Sequence, residues 1–240
     1  MIKTTLLTSG NQKILKGEKL GYITKGIHLA PANLSGFEVC RWRSKGCTMA
    51  CLNTAGRGQM NTIQESRIAK TKLFFEQKMD FFVKLSKEIS SSIKSALKKE
   101  MQAVFRLNLT SDLMWEKEKD AEGLTIFERF KDTQFYDYTK SFQRMAKFLG
   151  KHEEFPENYH LTFSRSENND VKCQMVLAMG GNVAVVFRNQ LPDTWKGYEV
   201  VNGDETDLRF LDKRGVVVGL IEKGKAKKDE SGFVLEGVNS

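Results

Sequence analysis

Beyond residue 102 the sequence alternates short β-prone runs with segments of helical period, and few folds accept that alternation. The runs 103–109, 134–138, 159–163, 182–187, 198–201 and 215–220 are rich in Val, Phe, Tyr and Leu. Between them, 124–130, 141–149 and 171–179 read as crossover helices. Strands alternating with helices predict βαβ units and a mainly parallel sheet. Several crossovers are short for helices, so a partial barrel is expected rather than a regular eightfold one. At 240 residues the chain is expected to form a single α/β domain over 1–240.

The first 38 residues carry Gly-broken β-like runs such as KLGYITKGIHLAPA. A helical segment at 62–99 follows a Cys loop at 40–58. Ile63, Ile68, Phe74, Phe75, Met79, Phe82, Val83 and Ile89 recur there at intervals near three to four, an amphipathic pattern. Lys78, four residues after Phe74, interrupts the stripe and predicts a break near Met79-Asp80. The Ser-Lys-rich end reads as a solvated tail.

Apolar residues make up 40% of the chain, with 16 Phe and 9 Met, enough for a sizeable core. No run of eighteen apolar residues occurs, which argues against a membrane span. The opening MIKTTLLTSGNQK lacks the apolar stretch of a secretion signal, so a cytoplasmic setting is expected. Lys and Arg exceed Asp and Glu by 38 to 30, a net charge of +8. That excess suits nucleic acid or phosphorylated ligands, although scattered lysines on a solvated surface give the same count. The sequence leaves the oligomeric state open.

Cysteine usage is more specific. Of four Cys, three fall within twelve residues: Cys40, Cys47 and Cys51. In a reducing compartment clustered Cys more often bind metal than form disulfides. If Cys47 and Cys51 begin a helix, their i,i+4 spacing places both sulfurs on one face, and six intervening residues let Cys40 loop back beside them. Three thiolates at a helix start suit an iron–sulfur cluster, here a [4Fe–4S] cluster. Zinc competes, with Cys173, His28 or His160 as a fourth ligand; unrelated buried thiols are the third alternative. The turn Thr54-Ala55-Gly56-Arg57-Gly58 leads into the helical segment. Its glycines would let backbone approach an anion that Arg57 could pair with.

Polar residues recur where the strands end: Asn108, Ser111 and Asp112; Asp137, Tyr138 and Lys140; Ser164, Arg165 and Glu167; Arg188; Asn202, Asp204 and Asp207. In parallel α/β folds ligands bind at the carboxyl ends of strands. Asp112, Lys140, Arg165 and Arg188 are therefore the candidates for binding a cofactor or small-molecule ligand, though strand ends are polar for solvation alone. No Walker loop, dinucleotide fingerprint, nucleophile elbow or zinc-protease motif occurs.

Two resemblances follow. The strings Gly21-Tyr22-Ile23-Thr24 to Leu29-Ala30-Pro31-Ala32, Gly46-Cys47 and Ala50-Cys51-Leu52-Asn53-Thr54-Ala55-Gly56-Arg57-Gly58 resemble bacteriophage proteins of the gene product 88 type. So do Arg106 to Asp112, Phe135 to Lys140, Tyr159 to Arg165 and Asp207 to Asp212, so the likeness covers most of the chain. A more distant similarity is to radical S-adenosylmethionine enzymes. It implies a partial (β/α)6 barrel, a cluster on three Cys after the first strand, and S-adenosylmethionine as a cosubstrate that receives an electron. The spacing here is C-x6-C-x3-C where that family has C-x3-C-x2-C, and Leu109-Thr110-Ser111-Asp112 stands where Gly-Gly-Glu is expected. The competing class is a nucleic-acid- or host-factor-binding module with a structural zinc site.

Overall fold

A computed structural model describes residues 5–8, 16–153 and 155–238, with Thr54 known by its backbone alone. Among the described residues ten strands form one sheet: β1 (Leu7–Thr8), β2 (Tyr22–Ile27), β3 (Gln102–Arg106), β4 (Phe135–Thr139), β5 (Tyr159–Ser164), β6 (Val183–Arg188), β7 (Thr194–Trp195), β8 (Tyr198–Asn202), β9 (Val217–Ile221) and β10 (Val234–Glu236). Their spatial order is β1-β2-β3-β4-β5-β6-β9-β8-β7, and β10 pairs with β6. From β2 through β8 every pairing is parallel; β1 and β7 add antiparallel edges. The protein is thus a mixed α/β fold whose sheet stays open.

The core explains the pattern of the runs. Parallel strands are covered on both faces and read as near-continuous apolar stretches. Phe105, Phe135, Leu161, Phe163, Val183, Val185 and Val217 join one buried cluster with Ile126 and Phe127 of α5 (Ile126–Arg129) and with side chains of four other helices. These are α3 (Asn61–Glu76), α4 (Lys78–Leu97), α6 (Phe142–Leu149) and α7 (Asp170–Ala178), numbered after the short α1 (Ala32–Ser35) and α2 (Lys45–Met49) and either side of α5. On the opposite face Val104 and Tyr136 pack with Leu208, Tyr22 and Phe210. Here Arg106 donates to Asp207 at 2.7 Å, so the turn at 207–211 is fixed by charge as well as by apolar contact.

The helical segment expected over 62–99 is two helices. The break falls at Gln77, whose φ of −137° lies outside helical range, two residues before the expected Met79-Asp80. Breaking there lets Phe74 and Phe81 meet edge to face at 5.2 Å, with Trp115 beside both. Lys78 sits at the break, where its ammonium reaches Glu118 at 2.6 Å and lies 5.4 Å from the centre of the Phe74 ring. β1, β7 and β10 have no counterpart among the expected runs. The β7–β8 hairpin turns on Lys196 and Gly197, both at positive φ, as a two-residue I′ turn requires.

One irregularity shapes the site. β5 pairs with β6 only at Phe163–Val183 and Ser164–Ala184, then departs. β10 takes its place, pairing Val234 with Val186 through Glu236 with Arg188. The sheet forks at Arg165.

Candidate functional site

The three clustered cysteines lie on the connection that follows β2, over the carboxyl ends of the parallel strands. Two hydrogen bonds between Leu29 and Thr110 tie that connection to the one after β3, at 2.7 and 3.0 Å. The Asp112 amide donates to Val39 at 2.7 Å, and the Cys40 thiol donates to the Thr110 carbonyl at 3.8 Å. Cys47 lies in the first turn of α2, where its amide donates to the N-cap Ser44. Glu167, on the connection after β5, accepts from the Gly46 amide at 2.8 Å and from Ser44 Oγ at 2.6 Å. A Cβ at position 46 would meet Glu167 and Phe233, which explains the glycine.

Cys51 departs from the expectation of a shared helical face. α2 ends at Met49, and Cys51 caps a separate 3-10 turn at Leu52–Thr54, its sulfur accepting from the Asn53 amide. Five residues suffice for one turn only, and Ala50 closes that helix. The thiols remain neighbours nonetheless. Burial pushes Cys40 up to about 12, and Asp112, Cys51 and Cys47 push in the same direction while Lys140 opposes them. Burial also raises Cys51, with Cys47 adding to it and Arg67 and Lys140 opposing. All three are partly exposed. Among the described residues no group of three or more His, Cys, Asp or Glu side chains converges as a metal site.

The four candidate ligand-binding residues separate into two pairs. Asp112 and Lys140 stand beside the thiols. Asp112 accepts from the Lys140 amide at 2.8 Å and from Arg144 at 2.6 Å, which clamps the ends of β3 and β4 to α6. Lys140 donates to Ser164 at 2.8 Å, and its ammonium lies 5.6 Å from the centre of the Phe233 ring. Arg165 and Arg188 instead serve the fork. Arg165 donates to the carbonyls of Gly232 and Phe233 and to Asp170; Arg188 reaches the Lys227 and Asp229 carbonyls and Glu236. Their charge holds β10 in the sheet.

Below Lys140 the register places Tyr138 opposite Thr162. Both hydroxyls are buried with no hydrogen-bond partner among the described residues, and Thr162 is fully buried. Buried hydroxyls are seldom left so, and two together mark a polar spot that a ligand or ordered water would satisfy. None of the alternative fourth metal ligands forms a metal-holding group with the three thiols among the described residues. Cys173 is in the apolar core, His160 packs against Phe148, and His28 neighbours Arg67, Lys70 and Arg106.

Several site residues carried no sequence signal. Arg67 holds the carbonyl and side chain of Asn53, and Gln64 holds Asn53 and Gly58, so α3 grips the turn at 53–58. Arg57 itself is exposed. Arg144 is buried between Asp112 and Glu116, and Phe233 arrives from beyond β9. Only the topology brings them together.

A mainly parallel α/β sheet with a cysteine-bearing connection over its strand ends defines the class of protein. The profile of the family described as gene product 88 matches residues 5–237, so the chain belongs to that family. No curated protein and no solved structure matches it. No helix among the described residues is long and apolar enough to cross a membrane.

Proposed function

We propose that this phage-type protein binds an iron–sulfur cluster through Cys40, Cys47 and Cys51 and presents it to a small molecule held by Asp112 and Lys140. The carrying observation is three thiols on one connection, which is hydrogen-bonded to the segments after β3 and β5 where Asp112, Lys140 and Ser164 meet at the carboxyl edge of parallel strands. The donor set fits a cluster: three soft sulfur ligands with a cation to offset their charge. The sulfurs do not converge on one metal position, so loading requires the 40–51 connection to tighten, which its single-turn helix and 3-10 turn allow.

When bound, the cluster supplies one-electron transfer. The chain's own part is to hold the substrate and manage charge. Lys140 offers a cation toward a carboxylate or phosphate, and Asp112 fixes the Lys140 backbone. The unpartnered Tyr138 and Thr162 hydroxyls offer hydrogen bonds deeper in the sheet. The sequential parallel order β2-β3-β4-β5-β6-β9 supports a partial (β/α)6-like, radical-S-adenosylmethionine-like reading, in which S-adenosylmethionine is the first small molecule to try.

Anaerobic reconstitution with iron and sulfide tests the proposal. The wild-type chain should take up about four irons and four sulfides and turn brown, and Cys47→Ala should lose the colour. Added S-adenosylmethionine should then perturb the spectrum of the reduced cluster. One zinc per chain and no colour would replace the proposal with a structural metal site. A folded protein that takes up no metal would end both.

A further inference from the structure

A second feature shares no residue with the cysteine connection; it lies on the outer face of α4, the helix that packs on β1 and β3. A groove of about 780 Å³ runs along α4, lined by Ser86, Lys87, Ser90, Ser91, Lys94, Ser95 and Lys98, with Arg129 and Phe130 from the end of α5 as its other wall. The buried side of α4 is Phe81, Phe82, Leu85, Ile89, Ser92 and Ala96. At 100° per residue Lys94 and Lys98 fall within about 20° of Lys87, so the three ammonium groups share one outer face over about 16 Å of helix.

That face is not neutralised from within. Among the described residues Lys87, Lys94 and Lys98 form no ion pair, and no carboxylate lines the groove. Glu100, just past Lys98, and Asp132, just past Phe130, lie outside the groove lining, and other nearby carboxylates are engaged elsewhere. Glu88 binds the Leu6 and Leu7 amides and Lys84, Glu128 caps α5 with Thr125, and Asp120 and Glu122 hold Arg129. Asp80 lies in the first turn of α4, seven residues before Lys87.

We propose that this groove binds the phosphodiester backbone of a single-stranded nucleic acid. Three lysines in a row supply ammonium contacts to successive phosphates, and the serines between them supply hydroxyl donors to the same oxygens. Phe130, partly exposed on the wall, offers a ring on which a base stacks, a feature single strands use and duplexes cannot. A concave, serine-lined track with one aromatic suits a strand better than a lipid surface, which calls for a broad apolar face.

The test is fluorescence anisotropy with a labelled 20-mer of thymidylate, beside a 20-base-pair duplex and phosphatidylserine vesicles. The single strand should bind tightest, and its log affinity should fall with log salt. Three neutralised phosphates set about 2 of that slope, at about 0.7 each. The variant K87Q/K94Q/K98Q should lose about tenfold or more in affinity and about 2 in slope. The control K225Q/K227Q/K228Q removes the same charge from another exposed segment and should bind nearly as well as wild type; circular dichroism checks that both fold. No binding at low salt, equal losses in both variants, or preference for duplex or vesicles would each overturn the proposal.

Discussion

Arg106 and Asp207 meet at 2.7 Å across 101 residues of sequence, both almost wholly buried between β3 and the turn before β9. The pair fastens the second face of the sheet. Removing Asp207 leaves the buried Arg106 with Asp137 at 3.9 Å as its remaining carboxylate, so Asp207→Asn should cost about 3 kcal/mol in urea unfolding. The double change Arg106→Met with Asp207→Leu should recover most of that loss. A single variant as stable as wild type would show that the pair fastens nothing.

Gly46 sets the seat of the cysteine connection. A methyl there would meet Glu167 Oε2 and Phe233 Cβ, each at 2.8 Å. Gly46→Ala should therefore lose about 1–3 kcal/mol and become more readily cut by protease within 41–58. Unchanged proteolysis would separate this contact from the order of the connection.

The thiols should be sluggish in the metal-free protein. With Cys40 pushed up to about 12 by burial and its acidic and thiol neighbours, and Cys51 raised by burial, little thiolate exists at pH 8. Alkylation by iodoacetamide, followed by peptide mass spectrometry, should proceed at least about tenfold more slowly at these two positions than at a free thiol. Rates equal to a free thiol would contradict the burial.

His160 and His28 carry an acid sensitivity. Burial, then the nearby cations Arg209 and Arg214, lowers His160 to about 4; burial, then Arg67, Lys70 and Arg106, lowers His28 to about 3. The unfolded chain binds these protons below pH 6.5 and the folded one does not. Stability is therefore full above pH 6.5 and falls as the pH drops toward 4. Asp137, raised to about 7 chiefly by burial, works in the opposite sense, its contribution falling as pH rises from about 4 to 7. A comparison of His160→Gln with wild type cancels Asp137. Its urea midpoint should decline less between pH 6.5 and 4.5. An identical decline would remove His160 from the account.

Much of this fold was readable because parallel strands write their burial into the sequence. The run at 182–187 became β6 at Val183–Arg188, and 159–163 became β5 at Tyr159–Ser164. The crossover helix expected at 141–149 became α6 at Phe142–Leu149, with Ser141 as its N-cap. What escaped was short or set by distant partners. β10 has three residues and no alternation, and its place depends on β5 leaving β6. At the site, Asp112 and Lys140 were legible as strand-end polar residues. Arg165 and Arg188 looked the same in sequence, yet the carbonyls that occupy them come from residues 227–233. The gene product 88 family was legible in the motif strings themselves.

The fork between β5 and β6 imposes an order of assembly. As the chain leaves the ribosome, β5 and β6 emerge well before residues 229–236. Until then the upper half of β6 shows a bare edge, Arg165 and Arg188 lack their carbonyls, and Lys140 faces no aromatic wall. A nascent chain halted after β9 would thus carry the cysteines and most of the sheet yet remain an adhesive, unfinished template. Maturation of the site is timed by the last strand to arrive.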